Sequence, residues 1–294
     1  MTEIISNKIN PAEIKIHTAR PEWLKVKAPG GESYAKIRTM MRSKSLHTVC
    51  EEAHCPNIGE CWGHGTATFM ILGDICVRNC RFCAITTGRP MPPHPEEPFN
   101  VAESIRNMSL QHAVITSVTR DDLEDGGANH WAETIRQAKS LNKDTTVEVL
   151  VPDFMGNMDQ LKIVLRANPD ILNHNMETVP RIYDRVRPKA VYENSLNLLK
   201  VAKDEGFITK SGLMVGIGEQ KEEILKVLDD LRKINVDIVT IGQYLQPTKK
   251  HLPVDRFVTP DEFKEYKIYG MQIGFRHVVA GPLVRSSYHA HEYK

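Results

Sequence analysis

No apolar run in the 294-residue chain approaches the roughly 20 residues that a bilayer-spanning helix needs. Excess charge of either sign is also missing. Lys and Arg total 38 against 37 Asp and Glu, for a net charge of +1 with no basic stripe, so electrostatics give no reason to expect nucleic acid. The opening M-T-E-I-I-S-N-K-I-N-P holds no apolar core of a secretory signal and lacks the Arg-rich, acid-poor character of a transit peptide. The expected location is the cytoplasm, without a membrane partner. Cysteine is absent outside positions 50–83, where all six fall. A reducing compartment argues against three disulfides, and clustered thiols there point to metal.

What is present is an ordinary soluble balance, 41% hydrophobic and 26% charged residues, in a chain long enough for one large domain or two small ones. Residues 1–32, broken by Pro11, Pro21, Pro29, Gly30 and Gly31, read as an extended arm. A helix capped by Ser33 is expected over 34–44. Beyond the cysteines the pattern alternates. Short apolar runs are predicted as strands at 68–72, 113–118, 146–151, 170–173, 212–215, 237–241 and 277–280. Helical segments are predicted at 101–109, 130–141, 158–166, 192–204, 221–233 and 260–272. Strands apolar throughout and separated by helices imply parallel βαβ units.

Six such units are too few for an eight-unit barrel. The expected fold class is α/β, a partial, open (β/α)6 TIM-like barrel, with a doubly wound open sheet as the alternative. An N-terminal extension over residues 1–64 carries the first cysteines. The barrel covers 65–294 and ends in a segment that closes over the site. In either layout, function gathers at the C-terminal strand ends. There stand C-V-R-N-C-R-F-C, T-R-D-D-L-E-D-G-G, N-H-N-M-E, G-I-G-E and Q-Y-L-Q-P.

The cysteines form two triplets: Cys50, Cys55 and Cys61 at C-x4-C-x5-C, and Cys76, Cys80 and Cys83 at C-x3-C-x2-C. Three thiolates in one loop can hold three irons of a cuboidal cluster and leave the fourth open. Structural zinc wants four ligands and a closed shell. No fourth cysteine has suitable spacing, though His54 or His64 keeps zinc open by counting alone.

C-V-R-N-C-R-F-C, with Phe82 before its last cysteine, resembles the signature of the radical S-adenosylmethionine enzymes. Both triplets together, with R-P-E-W-L-K, D-D-L-E-D-G-G-A, H-N-M-E-T-V, G-L-M-V-G-I-G-E, Q-Y-L-Q-P-T and the terminal R-S-S-Y-H-A, resemble the lipoyl synthases over nearly the whole chain. That resemblance implies two [4Fe-4S] clusters and S-adenosylmethionine. Cys76, Cys80 and Cys83 would hold the radical-generating cluster. Cys50, Cys55 and Cys61 would hold an auxiliary one, with Ser287 as its fourth ligand and Ser286 the lesser choice. The implied reaction inserts two sulfur atoms, at carbons six and eight of an octanoyl group amide-linked to a lysine, and consumes the auxiliary cluster as sulfur source. Implied partners are lipoyl-carrier domains, namely acyltransferase subunits of 2-oxoacid dehydrogenases and the glycine-cleavage H protein, and a ferredoxin or flavodoxin as electron donor.

Other positions take a role from the resemblance beside a plainer one from the residues. Gly126 and Gly127 read alone as a flexible turn; the resemblance sets them against the cofactor's amino group. Asn173 and Glu177 could cap a helix, or reach the ribose or methionyl part of the cofactor. Gly216 and Gly218 make a strand-to-helix turn or line the adenine site. Arg285, by itself a surface charge, is implied to stabilise the auxiliary cluster or orient Ser287, which makes Ser287 and Arg285 the candidate catalytic pair. His289 and His291 read as surface groups. Glu124, Met91 and His94 depart mildly from the family pattern without removing a ligand. Two other functions remain to be separated: a biotin synthase-like sulfur inserter acting on a free small molecule, and a non-catalytic electron carrier or cluster scaffold.

Overall fold

The structure, a computed structural model, describes residues 20–26, 29–63, 66–288 and 290. Most of the expected N-terminal arm, together with His64, His289 and His291, lies outside the described residues. Of the arm, Glu22–Leu24 forms a 3-10 turn that buries Leu24. The helix α1 spans Glu32–Ser43. Ser33 does not cap it: its hydroxyl donates to the Trp62 carbonyl at 2.8 Å, and Gly31, at φ 97°, makes the entry. The strand β1 (His47–Thr48) leads directly into α2 (Val49–Glu52), and α3 (Ile58–Gly63) follows.

The body is one sheet of eight strands in the order β1-β2-β5-β6-β7-β8-β9-β10. These comprise β1, β2 (Thr68–Ile71), β5 (His112–Ser117), β6 (Thr146–Leu150), β7 (Ile171–Asn173), β8 (Ile208–Val215), β9 (Ile238–Gln243) and β10 (His277–Gly281). Between β2 and β5 lie a short parallel pair, β3 (Ile75–Cys76) and β4 (Thr86–Thr87), that closes the second cysteine loop. It carries no sequence signal at two residues per strand.

Only the β1–β2 pairing is antiparallel; the other ladders of the large sheet are parallel. Crossover helices are α4 (Glu97–Asn107), α5 (Ala128–Leu141), α6 (Met158–Arg166), the short α7 (Tyr183–Val186) with α8 (Tyr192–Asp204), α9 (Lys221–Lys233) and α10 (Pro260–Gln272). Every crossover moves one place in the same direction. A doubly wound sheet would reverse direction, so the chain is singly wound, with six βα units and a last strand: a partial TIM-like barrel. The strands are apolar because both faces are covered, as β5 and β9 show by near-complete burial.

Many limits shift from the sequence reading by one or two residues, and two starts shift further. The strand β8 begins at Ile208, not Gly212, because Thr209, Lys210 and Ser211 are fully buried in the sheet. Lys210 is held there by Glu148 of β6, whose carboxylate it meets at 2.9 and 3.1 Å. The helix α4 begins at Glu97 rather than Val101. The Glu97 carboxylate is buried and accepts from the Leu72 N–H and pairs with His130.

The open seam of the barrel lies between β1 and β10. The segment after β1 carries the first cysteine triplet, and the segment after β10 carries R-S-S-Y. They are tied together: Asn57 donates to the Leu283 carbonyl at 2.7 Å, and the Tyr288 hydroxyl donates to Glu60 at 3.0 Å. The C-terminal segment thus closes over the seam and the cavity behind it. No helix among the described residues is long and apolar enough to cross a membrane.

Candidate active site

A cavity of about 950 Å³ runs the depth of the barrel, and all six cysteines line it. At one end it meets Ser117, Val151 and the loop carrying Cys76, Cys80 and Cys83. At the other it meets Thr68, Leu110 and His112, at the N-terminal ends of their strands. Cys50 receives the Thr68 N–H at the start of β2, whereas Cys76 follows the end of that strand. The triplets are therefore separated by roughly one short strand, four residues or about 13 Å at 3.3 Å per residue. Phe82, Glu177, Arg285, Ser286 and Ser287 also line the cavity.

The second triplet is held from several sides. The Arg78 and Thr119 backbone N–H groups donate to Cys76 Sγ at 3.4 and 3.3 Å. The Arg78 side chain, buried, grips Asp121 at 2.6 and 2.9 Å and Asp153 at 2.6 Å. His251 Nε2 lies 2.8 Å from the Cys83 carbonyl, and Lys189 donates to the Val77 carbonyl. Anchors on residues 121, 153, 189 and 251 leave the loop little freedom.

Burial dominates the chemistry of the thiols. It pushes Cys83 and Cys50 up to about 12 and Cys61 to about 11, with mutual repulsion within each triplet adding to it. Cys80 and Cys55 are raised by burial too, opposed by arginines: Arg187 and, less strongly, Arg78 for Cys80, and Arg285 for Cys55. Left to themselves these thiols stay protonated at neutral pH; a bound metal displaces the protons. Three soft donors per triplet, N–H groups aimed at a sulfur and a buried arginine beside each set fit anionic iron–sulfur clusters. Among the described residues, no group of three or more His, Cys, Asp and Glu is arranged around one metal ion.

Glu177 sits at φ 68° between β7 and β8, bridged to Leu213, and its carboxylate accepts from Asn175 at 3.0 Å. Burial raises its pKa, with Arg187 opposing. Ser286 is tied to the Asn175 amide at 2.7 and 3.0 Å. Ser287, among the described residues, lines the cavity without a side-chain hydrogen bond, which leaves its oxygen available to a ligand. Arg285 donates to the Val284 carbonyl at 2.7 Å, and burial lowers its pKa against the pull of Cys55 and Glu177.

The other expected residues lie behind the wall. Asn173 is fully buried, and its amide donates to Glu148 at 2.9 Å; Asn175, two residues on, faces the cavity. Gly126 and Gly127 form the left-handed turn into α5. A Cβ on Gly127 would stand 2.6 Å from Leu72 Cδ1. Gly216, at φ 88°, admits no side chain either, since the Arg256 carbonyl and the Gln243 amide would be 2.3 Å away. None of these three glycines lines the cavity.

Sequence reasoning missed Asn175, His174 and Arg187. The first two are consecutive within N-H-N-M-E, just beyond the strand end. Arg187, in R-V-R-P, carries no local signal.

A partial barrel with a three-cysteine loop beyond its first parallel strand defines a radical S-adenosylmethionine enzyme. The radical SAM superfamily profile matches residues 70–231. The fold resembles that of methylornithine synthase (TM-score 0.52, 14% identity, 88% of this chain and 85% of that one) and of an FeFe-hydrogenase maturase from Carboxydothermus hydrogenoformans (TM-score 0.56, 17% identity, 74% and 59%). The profile of the N-terminal domain of lipoyl synthase matches residues 6–55. The chain is 58% identical to the lipoyl synthase of Rubrobacter xylanophilus over 93% of this chain and 86% of that protein. It is 56% identical to that of Roseiflexus sp. over 92% and 91%. The chain belongs to the lipoyl synthase family. Membership in the superfamily brings with it one 4Fe-4S cluster and S-adenosylmethionine.

Proposed function

We propose that the chain inserts two sulfur atoms, at carbons six and eight of an octanoyl group borne on a lysine of a lipoyl-carrier domain. In this reading Cys76, Cys80 and Cys83 hold the cluster that binds S-adenosylmethionine. Cys50, Cys55 and Cys61, with Ser287, hold a second [4Fe-4S] cluster that supplies the sulfur. When bound, the first cluster with its cofactor supplies radical hydrogen abstraction from an unactivated C–H bond.

The observation that carries the proposal is that both triplets and Ser287 open on one cavity roughly a strand length apart. A straight acyl chain can lie between them. Met70, Val114, Leu150 and Met214 line that space, offer apolar contact to an aliphatic chain and exclude water. Phe82, next to Cys83, lines the same cavity, and Asn175 and Glu177 present the polar groups suited to the amino-acid and ribose portions of the cofactor. Gly126, Gly127, Asn173 and Gly216 act from behind by fixing the turns and strand ends. Ser287 offers a harder oxygen ligand than thiolate and can be displaced more readily. Arg285, beside Cys55, supplies positive charge to that end.

The proposal includes a division into a cluster-binding extension (1–64) and a barrel (65–294), a cytoplasmic location, carrier domains of 2-oxoacid dehydrogenases or the glycine-cleavage H protein as substrates, and a ferredoxin or flavodoxin as donor. The test is anaerobic reconstitution with reductant, S-adenosylmethionine and an octanoyl-lysyl peptide. Formation of both 5′-deoxyadenosine and dithiolated peptide is expected. Their absence from a protein with full iron and sulfide content would overturn the reading, and turnover of dethiobiotin instead would replace it.

A further inference from the structure

The mechanism above leaves unused a buried cation of the cavity wall. Arg187 is 8% exposed and lines the cavity. One of its terminal nitrogens is committed, donating to the Asn175 carbonyl at 2.9 Å and to the Tyr183 hydroxyl at 2.6 Å. Its Nε is buried and has no partner among the described residues. The guanidinium also rests 5.3 Å over the Tyr183 ring. Tyr183 is itself fixed, through Ser195, to His174.

The short segment bearing Arg187 is strapped to the second cysteine loop on either side of the arginine. Arg81 N–H donates to the Val186 carbonyl at 2.9 Å, and Lys189 donates to the Val77 carbonyl at 3.1 Å. Two bonds that bracket one residue hold a fixed charge against the loop between Cys76 and Cys83. Burying a guanidinium with an unpaired donor is costly unless an anion meets it. A reduced cluster with three thiolates is such an anion.

We propose that Arg187 is an electrostatic positioning residue that sets the reduction potential of the cluster held by Cys76, Cys80 and Cys83. Reduction adds one negative charge to that cluster. A fixed cation in a low-dielectric wall stabilises the reduced form more than the oxidised one and raises the potential. Arg285 occupies the corresponding place beside Cys55, at the other triplet, and Glu177 faces both arginines. This inference rests on the proposed cluster assignment; absence of a cluster signal would sink that assignment, whereas a full signal with an unmoved potential sinks only the role of Arg187.

The test is a redox titration of the reconstituted full-length protein, followed by electron paramagnetic resonance. The second-triplet cluster is identified as the one whose signal changes on adding S-adenosylmethionine. In Arg187→Gln, at wild-type iron and sulfide content, the reduced-to-oxidised ratio of that cluster at a fixed poise should fall by about tenfold or more, about 59 mV for a one-electron couple, while the other cluster keeps its potential. Arg187→Lys, which retains the charge, should fall much less. A potential unchanged in Arg187→Gln, a shift confined to the other cluster, or an equal fall in Gln and Lys variants would overturn the proposal. Should Arg187→Gln fail to fold, wild-type protein labelled with guanidino-15N arginine gives an independent answer. A 15N coupling to the reduced, S-adenosylmethionine-sensitive cluster, lost in Arg187→Lys, is expected, and its absence from the wild type would refute the idea.

Discussion

Replacing Glu148 by Gln should destabilise the barrel from a position that does not itself line the cavity. The Glu148 carboxylate is wholly buried in β6, where it accepts from Lys210 at 2.9 and 3.1 Å and from Asn173 at 2.9 Å and lies 3.1 Å from His112. Burial alone would push its pKa up. Lys210 and His112 outweigh burial and hold the group at about 2 against an ordinary 4.5. At about 1.4 kcal/mol per tenfold, that difference is roughly 3 kcal/mol favouring the charged native form. Gln keeps the shape but takes away the carboxylate charge that faces the buried Lys210 ammonium, a loss of about 3–5 kcal/mol. The sign with pH follows from a depressed carboxylate: its stabilisation is complete above pH 4.5 and is lost as pH falls toward 2. The gap between wild type and Glu148→Gln should therefore be widest at pH 7 and narrower by about 1 kcal/mol at pH 3.5. Denaturant unfolding of reduced, metal-free protein, followed by circular dichroism, measures both. The double variant Glu148→Leu/Lys210→Met, which removes both charges, should regain much of the loss. A gap under about 1 kcal/mol at pH 7, or a double variant no more stable than the single, would refute the reasoning.

Ser287→Cys should keep cleavage of S-adenosylmethionine while dithiolated peptide falls by about a hundredfold, because a fourth thiolate holds the first-triplet cluster more firmly than an alkoxide; undiminished sulfur insertion would remove Ser287 from the ligand set. Cys83→Ala and Cys61→Ala should each halve the iron content, but only Cys83→Ala should abolish 5′-deoxyadenosine formation, as liquid chromatography of reaction mixtures would show. Gly127→Ala, at φ 84° with Leu72 in the way, should cost about 1–3 kcal/mol in a thermal melt and leave the iron content unchanged.

The helices α6, α9 and α10 start where the sequence places them because their first turns are written locally. Asn157 accepts from the Asp159 and Gln160 N–H groups before α6, and capping boxes at Gln220/Glu223 and Thr259/Glu262 open α9 and α10. The start of β8 is not written locally. Lys210 looks like a surface residue until Glu148, 62 positions earlier, is folded against it. The same separates Asn173 from Asn175. Both stand at the end of an apolar run, two positions apart, where the pleat alone would turn them the same way; only the Glu148 partner shows that the first is held away from the cavity. The cysteines were legible because a cluster needs its ligands on short loops. Arg187 was not, because its meaning lies in hydrogen bonds that its neighbours Val186 and Lys189 make to Arg81 and Val77, far earlier in the chain.

The open barrel makes this division of labour possible. A closed eight-strand barrel fills its centre with side chains. Here β1 and β10 are not paired, and the gap between them is spanned by the first cysteine segment and the R-S-S-Y segment, joined through Asn57–Leu283 and Glu60–Tyr288. In the proposed reading, the sulfur-bearing cluster sits where strands are missing. Its fourth ligand then has to come from the far edge of the seam, after β10, rather than from the cysteine loop itself. Any movement that parts the two edges would pull Ser287 away from Cys50, Cys55 and Cys61, and so couple the opening of the barrel to the release of sulfur. Weakening the seam alone, with Asn57→Ala and Tyr288→Phe together, should accordingly speed loss of iron from the first triplet while the second keeps its own. Equal rates of loss from both would mean that the seam holds neither in particular.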